Sequence, residues 1–157
     1  MWENLAELLF LLFLKMKIEI FKLRDDVEIP QFETAGSVGF DLRAAQKCEI
    51  APGEIKLIPT GLVIKTPPGF ALILASRSST PKKKGLKMPH GIGVIDQDYC
   101  GPNDEIKIQV YNFSDQKTVV EKGDRIAQGI FVRAERCKFH EITKNENKTR
   151  GGFGSTG

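Results

Sequence analysis

Phe70-Ala71-Leu72-Ile73-Leu74-Ala75-Ser76-Arg77-Ser78-Ser79 carries the reading of the fold. The apolar run from Phe70 to Ala75 is continuous rather than alternating, which suits a strand covered on both faces. A turn signal, Pro67-Pro68-Gly69, opens it, and a hydroxyl-rich stretch with one arginine closes it. Moving outward, similar short runs recur. Ile18, Ile20, Phe21 and Leu23 alternate roughly. Glu54-Ile55-Lys56-Leu57-Ile58-Pro59 and Leu62-Val63-Ile64-Lys65 are separated by Thr60-Gly61. Glu105 to Tyr111 alternates cleanly with one polar face, and Arg125 to Val132 forms another run. Pro52-Gly53, Gly101-Pro102-Asn103-Asp104 and Lys122-Gly123-Asp124 punctuate them. Short strands at this spacing predict an all-β domain: a sandwich, jelly roll or barrel. After Met16 there is no long amphipathic helix, no internal repeat and no linker before residue 143, where Lys, Asn and Glu take over as a polar tail.

The chain has 157 residues, enough for one domain with a proper core. Its formal net charge of +3 permits an anionic ligand but gives no argument for nucleic acid. Cys48, Cys100 and Cys137 form no C-x-x-C pair, and their odd number suits a reducing compartment, hence the cytoplasm. His90 and His140 lie far apart without a neighbouring cysteine, which argues against a protein-ligated metal. Leu8 to Leu14 is strongly apolar but too short to span a bilayer, and no basic segment or cleavage site accompanies it. No membrane role is expected. Residues 3–16 read as a short helix, and the stretch from Met16 looks like a natural start followed directly by a strand. Residues 1–15 are therefore read as an appendage, the functional alternative being a membrane-touching or partner-binding helix.

Five segments carry chemistry. In Gly36-Ser37-Val38-Gly39-Phe40-Asp41-Leu42-Arg43, alternation sets Asp41 on the opposite face from Phe40 and Leu42, where a carboxylate can order water around Mg²⁺. In Ser76-Arg77-Ser78-Ser79, an arginine leaves a core strand beside hydroxyls, a fork suited to phosphate. Gly91-Ile92-Gly93-Val94-Ile95-Asp96-Gln97-Asp98-Tyr99 places a carboxylate at the lip of an apolar strand, three residues before a flat ring that can face a sugar. Gly123-Asp124-Arg125-Ile126-Ala127-Gln128 offers Gln128 as a phosphate donor, with Asp124 making a turn or local ion pair. The end of the chain, Arg150-Gly151-Gly152-Phe153-Gly154-Ser155-Thr156-Gly157, combines unobstructed backbone N–H groups, two hydroxyls and one ring without a core to join. Each also has a structural reading: turn aspartates, a surface arginine, an ordinary glycine-rich terminus. Lys82-Lys83-Lys84 reads as a solvated loop.

Taken together and in this order, the five segments resemble the trimeric dUTP diphosphatase (dUTPase) family. The match runs from about Met16 to Gly157, with G-x-I-D-x-D-Y analogue Gly93-Val94-Ile95-Asp96-Gln97-Asp98-Tyr99 and the terminal G-G-F-G-S-T-G as its most specific parts. The resemblance implies a distorted jelly roll over residues 16–142 and a mobile lid over 143–157. It also implies a homotrimer whose three active sites each draw on all three chains. The implied reaction is dUTP plus water giving dUMP and pyrophosphate with Mg²⁺, which lowers dUTP and supplies dUMP for thymidylate synthesis. Under that resemblance Asp96 is the general base for water attacking the α-phosphorus. Tyr99 packs under the deoxyribose where a 2′-hydroxyl would clash. Gly93, Ile95 and the neighbouring backbone from Gly91, with His90, read uracil. Arg77, Ser78, Ser79 and Gln128 contact phosphates. Asp41 meets the metal through water, with Mg²⁺ held mainly by the triphosphate. Phe153 stacks on uracil, and Arg150, Gly154, Ser155 and Thr156 close over the γ-phosphate.

Three features depart from the family pattern. Many members carry an arginine at the place of Lys148, so either Lys148 or Arg150 serves the γ-phosphate. His90 stands where many relatives have an asparagine. Gly101-Pro102-Asn103-Asp104 lengthens the loop after Tyr99. Two other functions are compatible with such a chain. A dCTP deaminase, alone or bifunctional, would need a glutamate where Gln109 stands and a second arginine where Thr80-Pro81-Lys82 follows. A non-catalytic nucleotide-binding trimer would bind dUTP without turnover.

Overall fold

A computed structural model describes residues 17–152. The appendage read into residues 1–15 and the terminal Phe153, Gly154, Ser155 and Thr156 lie outside the described residues. The described chain is built from short strands: β1 (Ile20–Lys22), β2 (Phe40–Arg43), β3 (Cys48–Ile50), β4 (Ile55–Pro59), β5 (Leu62–Ile64) and β6 (Phe70–Ser76). One helical turn, α1 (Thr80–Lys84), separates these from β7 (Leu86–Lys87), β8 (Ile92–Ile95), β9 (Lys107–Asn112), β10 (Thr118–Val120) and β11 (Arg125–Arg133). All pairings are antiparallel. A four-stranded sheet has the order β2-β11-β6-β8 and a three-stranded sheet the order β4-β9-β7, while β1 pairs with β5 and β3 with β10. Strands distant in sequence lie side by side, as the predicted jelly-roll-like all-β architecture requires.

The core lies between the sheets. Leu42, Leu72 and Ile126 enter it from one side, and Ile58, Ile106, Ile108 and Val110 from the other, all essentially without solvent contact. Gly129 shows how tight this is. A Cβ there would come within 2.5 Å of the Phe40 ring, so β11 can pass under that ring only as glycine. Phe40 in turn packs on Phe131 at 5.6 Å between ring centroids. Asn112 is the polar anchor of the second sheet. Its buried amide donates to Ile50 O at 3.0 Å and Gln116 O at 2.8 Å, and its Oδ1 accepts from the Ser114 N–H and hydroxyl. No polar atom of this buried amide is thereby left unpaired.

Two expectations need correction. β6 is not covered on both faces among the described residues: Leu72 and Leu74 are buried, whereas Ala71, Ile73 and Ala75 stay half-exposed. The Lys82-Lys83-Lys84 stretch is not a loop but the end of α1. Pro81 starts that turn at a position where its missing N–H costs nothing, and Gly85 stops it in the left-handed region (φ 64°), bonding back to Pro81 O at 3.0 Å. The short strands β3, β7 and β10 carry no apolar run long enough to register as periodicity.

Candidate active site

Residues paired directly across antiparallel strands point to the same side of a sheet. On the outer face of the four-stranded sheet the registers give three rows. Asp41, Gln128, Ala75 and Ile92 form the first, and Ile130, Ile73 and Val94 the second. Val132 and Ala71 form the third, and Asp96 takes the next outward position after Val94. The face is polar at one end, apolar in the middle, and acidic at the other end. The apolar middle is left open to solvent: Ile92 is 51 % and Val94 56 % exposed.

At the first end Arg77 leaves β6 and its Nε meets Asp41 Oδ1 at 2.6 Å, with little of either side chain exposed. A guanidinium has five N–H donors, so four remain for a phosphate. Arg125 Nη1 reaches Asp41 Oδ2 at 3.2 Å and Glu33 Oε1 at 3.3 Å. Arg125 is on this face because β11 bulges. Its register with β2 slips between Arg125 and Ala127, so Ile126 and Ala127 both turn into the core and Arg125 turns out beside Asp41. Gln128 donates through Nε2 to Ser76 O at 3.2 Å, which engages one of its two amide hydrogens and leaves one for a ligand. Ser79 sits at the N-cap of α1 without using its hydroxyl to cap, and Ser78 is exposed beside it. Lys84 at the end of α1 pairs with Asp124 Oδ2 at 2.7 Å, tying the Arg77-Ser78-Ser79 segment to the Gly123-Asp124-Arg125 turn. Asp124 also accepts the Glu121 N–H at 3.0 Å, so it is both a turn former and a long-range ion pair, not a local one. Burial pushes the Asp124 carboxyl up, but Lys84 and the Glu121 N–H outweigh it and hold it below the ordinary aspartate value.

At the far end Asp96 is exposed and its carbonyl accepts the Tyr99 N–H at 3.4 Å, closing a turn that presents the partly exposed Tyr99 ring. Gly93 and Ile95 face inward. A Cβ on Gly93 would meet Leu74 at 3.1 Å, and Ile95 packs against the core. Any contact they make with a ligand is therefore through the backbone, and β8 is an edge strand whose outer row of N–H and C=O groups has no strand partner in this sheet. His90 lies in the turn before β8, where Gly91 bonds back to Met88 O at 3.2 Å. It is thus at the opposite end of β8 from Asp96, and the strand alone spans about 10 Å. Arg77 is six residues along β6 from Ala71, beside which Asp96 emerges, a separation of roughly 20 Å. One chain thus assembles Asp41, Arg77 and Gln128, and separately Asp96 and Tyr99, but does not bring the two groups together. Arg150 and Lys148 are both exposed on the arm that follows β11, as is Phe139, 98 % exposed.

The dUTPase family model matches residues 25–157. This chain belongs to the dUTPase family. A deoxyuridine 5'-triphosphate nucleotidohydrolase of Lactococcus lactis is 45 % identical over 134 residues, covering 83 % of this chain and 89 % of that protein. The dUTPase of Streptococcus mutans superposes with a TM-score of 0.70 at 38 % identity, over 79 % of this chain and 100 % of that one. A dUTPase of phage phi11 of S. aureus, described for its coordination of a structural Mg(II) ion, shares the fold with a TM-score of 0.74 at 20 % identity, over 84 % of this chain and 100 % of that one.

For a dUTPase, the donor set around Asp41 is informative about metal. Mg²⁺ is a hard cation that takes oxygen ligands and keeps several waters. Both Asp41 oxygens are occupied by arginines, and no group of three or more His, Cys, Asp or Glu is gathered among the described residues. This fits an ion that arrives on a triphosphate and meets Asp41 through water. Arg125 was not singled out from sequence as a site residue. Its signal, an arginine directly after Gly123-Asp124, was legible, but its direction depends on the bulge. Gln109, the position a deaminase depends on, sits on β9 opposite Leu57, in the other sheet. No helix among the described residues is long and apolar enough to cross a membrane.

Proposed function

We propose that this protein hydrolyses dUTP to dUMP and pyrophosphate as a cytoplasmic homotrimer with three shared active sites. The observation that carries this is the separation of Asp96 from Arg77 and Asp41 along one sheet face, with an exposed apolar strip between them. A general base acts within about 3 Å of its proton or through one water, so the two groups serve one phosphate chain only if they come from different subunits. A threefold arrangement that buries the Ile92–Val94 strip brings the Asp96 end of one chain to the Arg77 end of the next. The arm after β11 then has a neighbour to cover, and residues 143–157 act as the lid of a third chain.

In that site Asp96 takes the proton of a water whose oxygen attacks the α-phosphorus. The bond to the bridging oxygen breaks and pyrophosphate leaves. Arg77, Ser78, Ser79 and Gln128 hold phosphate oxygens through charge-assisted hydrogen bonds. Arg125 and Arg77 keep Asp41 directed at the phosphate side. Mg²⁺ bound to the triphosphate would neutralise charge there. Gly93, Ile95 and the β8 edge, with His90, read uracil. Tyr99 stacks beneath the deoxyribose. Phe153, Gly154, Ser155 and Thr156, with Arg150 or Lys148, close the site and exclude bulk water.

The test is pyrophosphate release with Mg²⁺ from dUTP, dCTP, dTTP and UTP, with ammonia followed in the same samples. Release from dUTP alone is the expected result. Ammonia from dCTP would mean deamination, and binding without turnover would mean a regulatory trimer. Asp96→Asn should keep dUTP binding while turnover falls by roughly 10²- to 10⁴-fold, the usual contribution of a general base. Removing residues from Gly151 onward should leave a folded trimer with little activity; normal hydrolysis there would dismiss the lid.

A further inference from the structure

We propose that Asp104 and Glu105 are positioning residues that fix the tilt of the Tyr99 ring and so set how strictly a 2′-hydroxyl is refused. The proposal rests on the reading of Tyr99 as the platform under deoxyribose. The Tyr99 hydroxyl donates to Glu105 O at 3.0 Å. A ring on an exposed turn is otherwise free to rotate about its side-chain torsions, and a displacement of about 1 Å is enough to spoil a steric filter. The tie matters because its acceptor is immobile. The Glu105 carboxylate accepts the Gly61 N–H at 2.8 Å, the Ile106 N–H bonds Leu62 O at 2.8 Å, and the buried Thr60 hydroxyl bonds Ile106 O at 2.6 Å. Residues 105 and 106 are thereby welded to the Thr60-Gly61-Leu62 corner. Gly61 holds a positive φ of 68°, and a Cβ there would strike Val27 at 2.7 Å, so the corner itself has little room to move.

Asp104 closes the loop that returns the chain to this anchor. Its Oδ2 accepts the Gly101 N–H at 2.7 Å while its own N–H bonds Gly101 O at 3.1 Å. This reciprocal turn uses the extra loop residues Gly101-Pro102-Asn103-Asp104, which otherwise have no assigned purpose. It holds the backbone so that the Glu105 carbonyl lies beneath the Tyr99 hydroxyl. The route is Gly61 to Glu105 to Tyr99, with Asp104 setting the span.

The experiment compares kcat and KM for dUTP and UTP in the full-length protein and in Asp104→Ala, Asp104→Asn, Tyr99→Phe and the Tyr99→Phe/Asp104→Ala pair. Asp104→Ala should lower the dUTP-to-UTP ratio of kcat/KM roughly five- to tenfold, about one hydrogen bond's worth of orientation, mainly through KM for dUTP. Asp104→Asn keeps an acceptor for Gly101 and should restore most of the ratio. Tyr99→Phe, which removes no packing, should lower the ratio similarly, and the double variant should be no worse than either single one. An unchanged ratio in Asp104→Ala, no rescue by Asp104→Asn, or additive losses in the double variant would each overturn the inference. Should Asp104→Ala not fold, Tyr99→Phe decides alone, an unchanged ratio overturning it. Tyr99→Ala separates the levels: if it too leaves the ratio unchanged, the ribose-excluding role of Tyr99 falls, whereas a collapse there with Asp104→Ala unaffected dismisses only the positioning role.

Discussion

Mixing two dead variants tests the geometry most directly. Asp96→Asn removes the base at one end of the outer sheet face, and Arg77→Ala removes the phosphate fork at the other, roughly 20 Å away. Each homotrimer should be nearly inactive. Co-expressed in equal amounts with different tags, the chains should form mixed trimers by statistics, because neither residue lies in the core. A shared site needs Arg77 from one subunit and Asp96 from its neighbour, and each is intact in half the draws. About one quarter of sites are then complete, so about a quarter of wild-type kcat per site returns. If a site lay within one chain, no mixture of these two variants would recover anything. A second mixture makes the contrast positive on both sides. Wild type with the Asp96→Asn/Arg77→Ala chain should give about a quarter of full activity for a shared site and about half for a site within one chain. The assay is pyrophosphate release from dUTP by the unfractionated mixture of trimers, with its binomial composition verified by native mass spectrometry. Zero recovery in the first mixture and half activity in the second would refute the arrangement.

Other outcomes follow from particular contacts. Gly129→Ala drives a Cβ into the Phe40 ring at 2.5 Å and should cost about 1–3 kcal/mol by denaturant unfolding, with a further loss of activity because Phe40 precedes Asp41; adding Phe40→Leu should recover part of both. Asn112→Ala removes the side-chain partner of Ile50 O and of the Ser114 N–H, while the Ser114 hydroxyl keeps its bond to Gln116 O, and should destabilise by about 2–4 kcal/mol while kcat of the surviving folded fraction stays unchanged. Asp124 is held below its ordinary value of 3.8, so its contribution is complete above that pH and is lost as pH falls through the lower folded-state value. The melting temperature should therefore drop on acidification below about pH 4, and Asp124→Asn should flatten that part of the profile; an unchanged slope would show that the Lys84–Asp124 tie contributes nothing.

Much of the site was readable as local pattern. Asp41 between Phe40 and Leu42 had to face away from the core by alternation alone, and β2 shows that burial pattern. Arg77 at the end of an apolar run had to emerge where the core ends. Other features depend on partners distant in sequence. Arg125 points at Asp41 only because of the bulge at Ile126, and no period in Arg125-Ile126-Ala127-Gln128 announces which of the two apolar residues is the extra one. Asp124 looked like a turn residue; that it also grips Lys84, forty positions earlier, is a product of how α1 folds back. Half-burial of Ile73 on a strand whose sequence reads as fully covered has the same origin: whether a face is covered depends on what packs on it, and among the described residues nothing buries this one.

By itself, the sequence determined the all-β class, the turn positions and the chemical identity of the candidate groups, because these depend on neighbours within a few residues: alternation, proline and glycine geometry, and side-chain type. Only the tertiary structure decided that Asp96 and Arg77 lie at opposite ends of one face, that Arg125 joins Asp41, and that Tyr99 is tied to Glu105. Those facts depend on strand register and loop closure, which come from packing between segments far apart in the chain; a one-residue change of register turns every side chain of a strand to the other face without altering the local pattern.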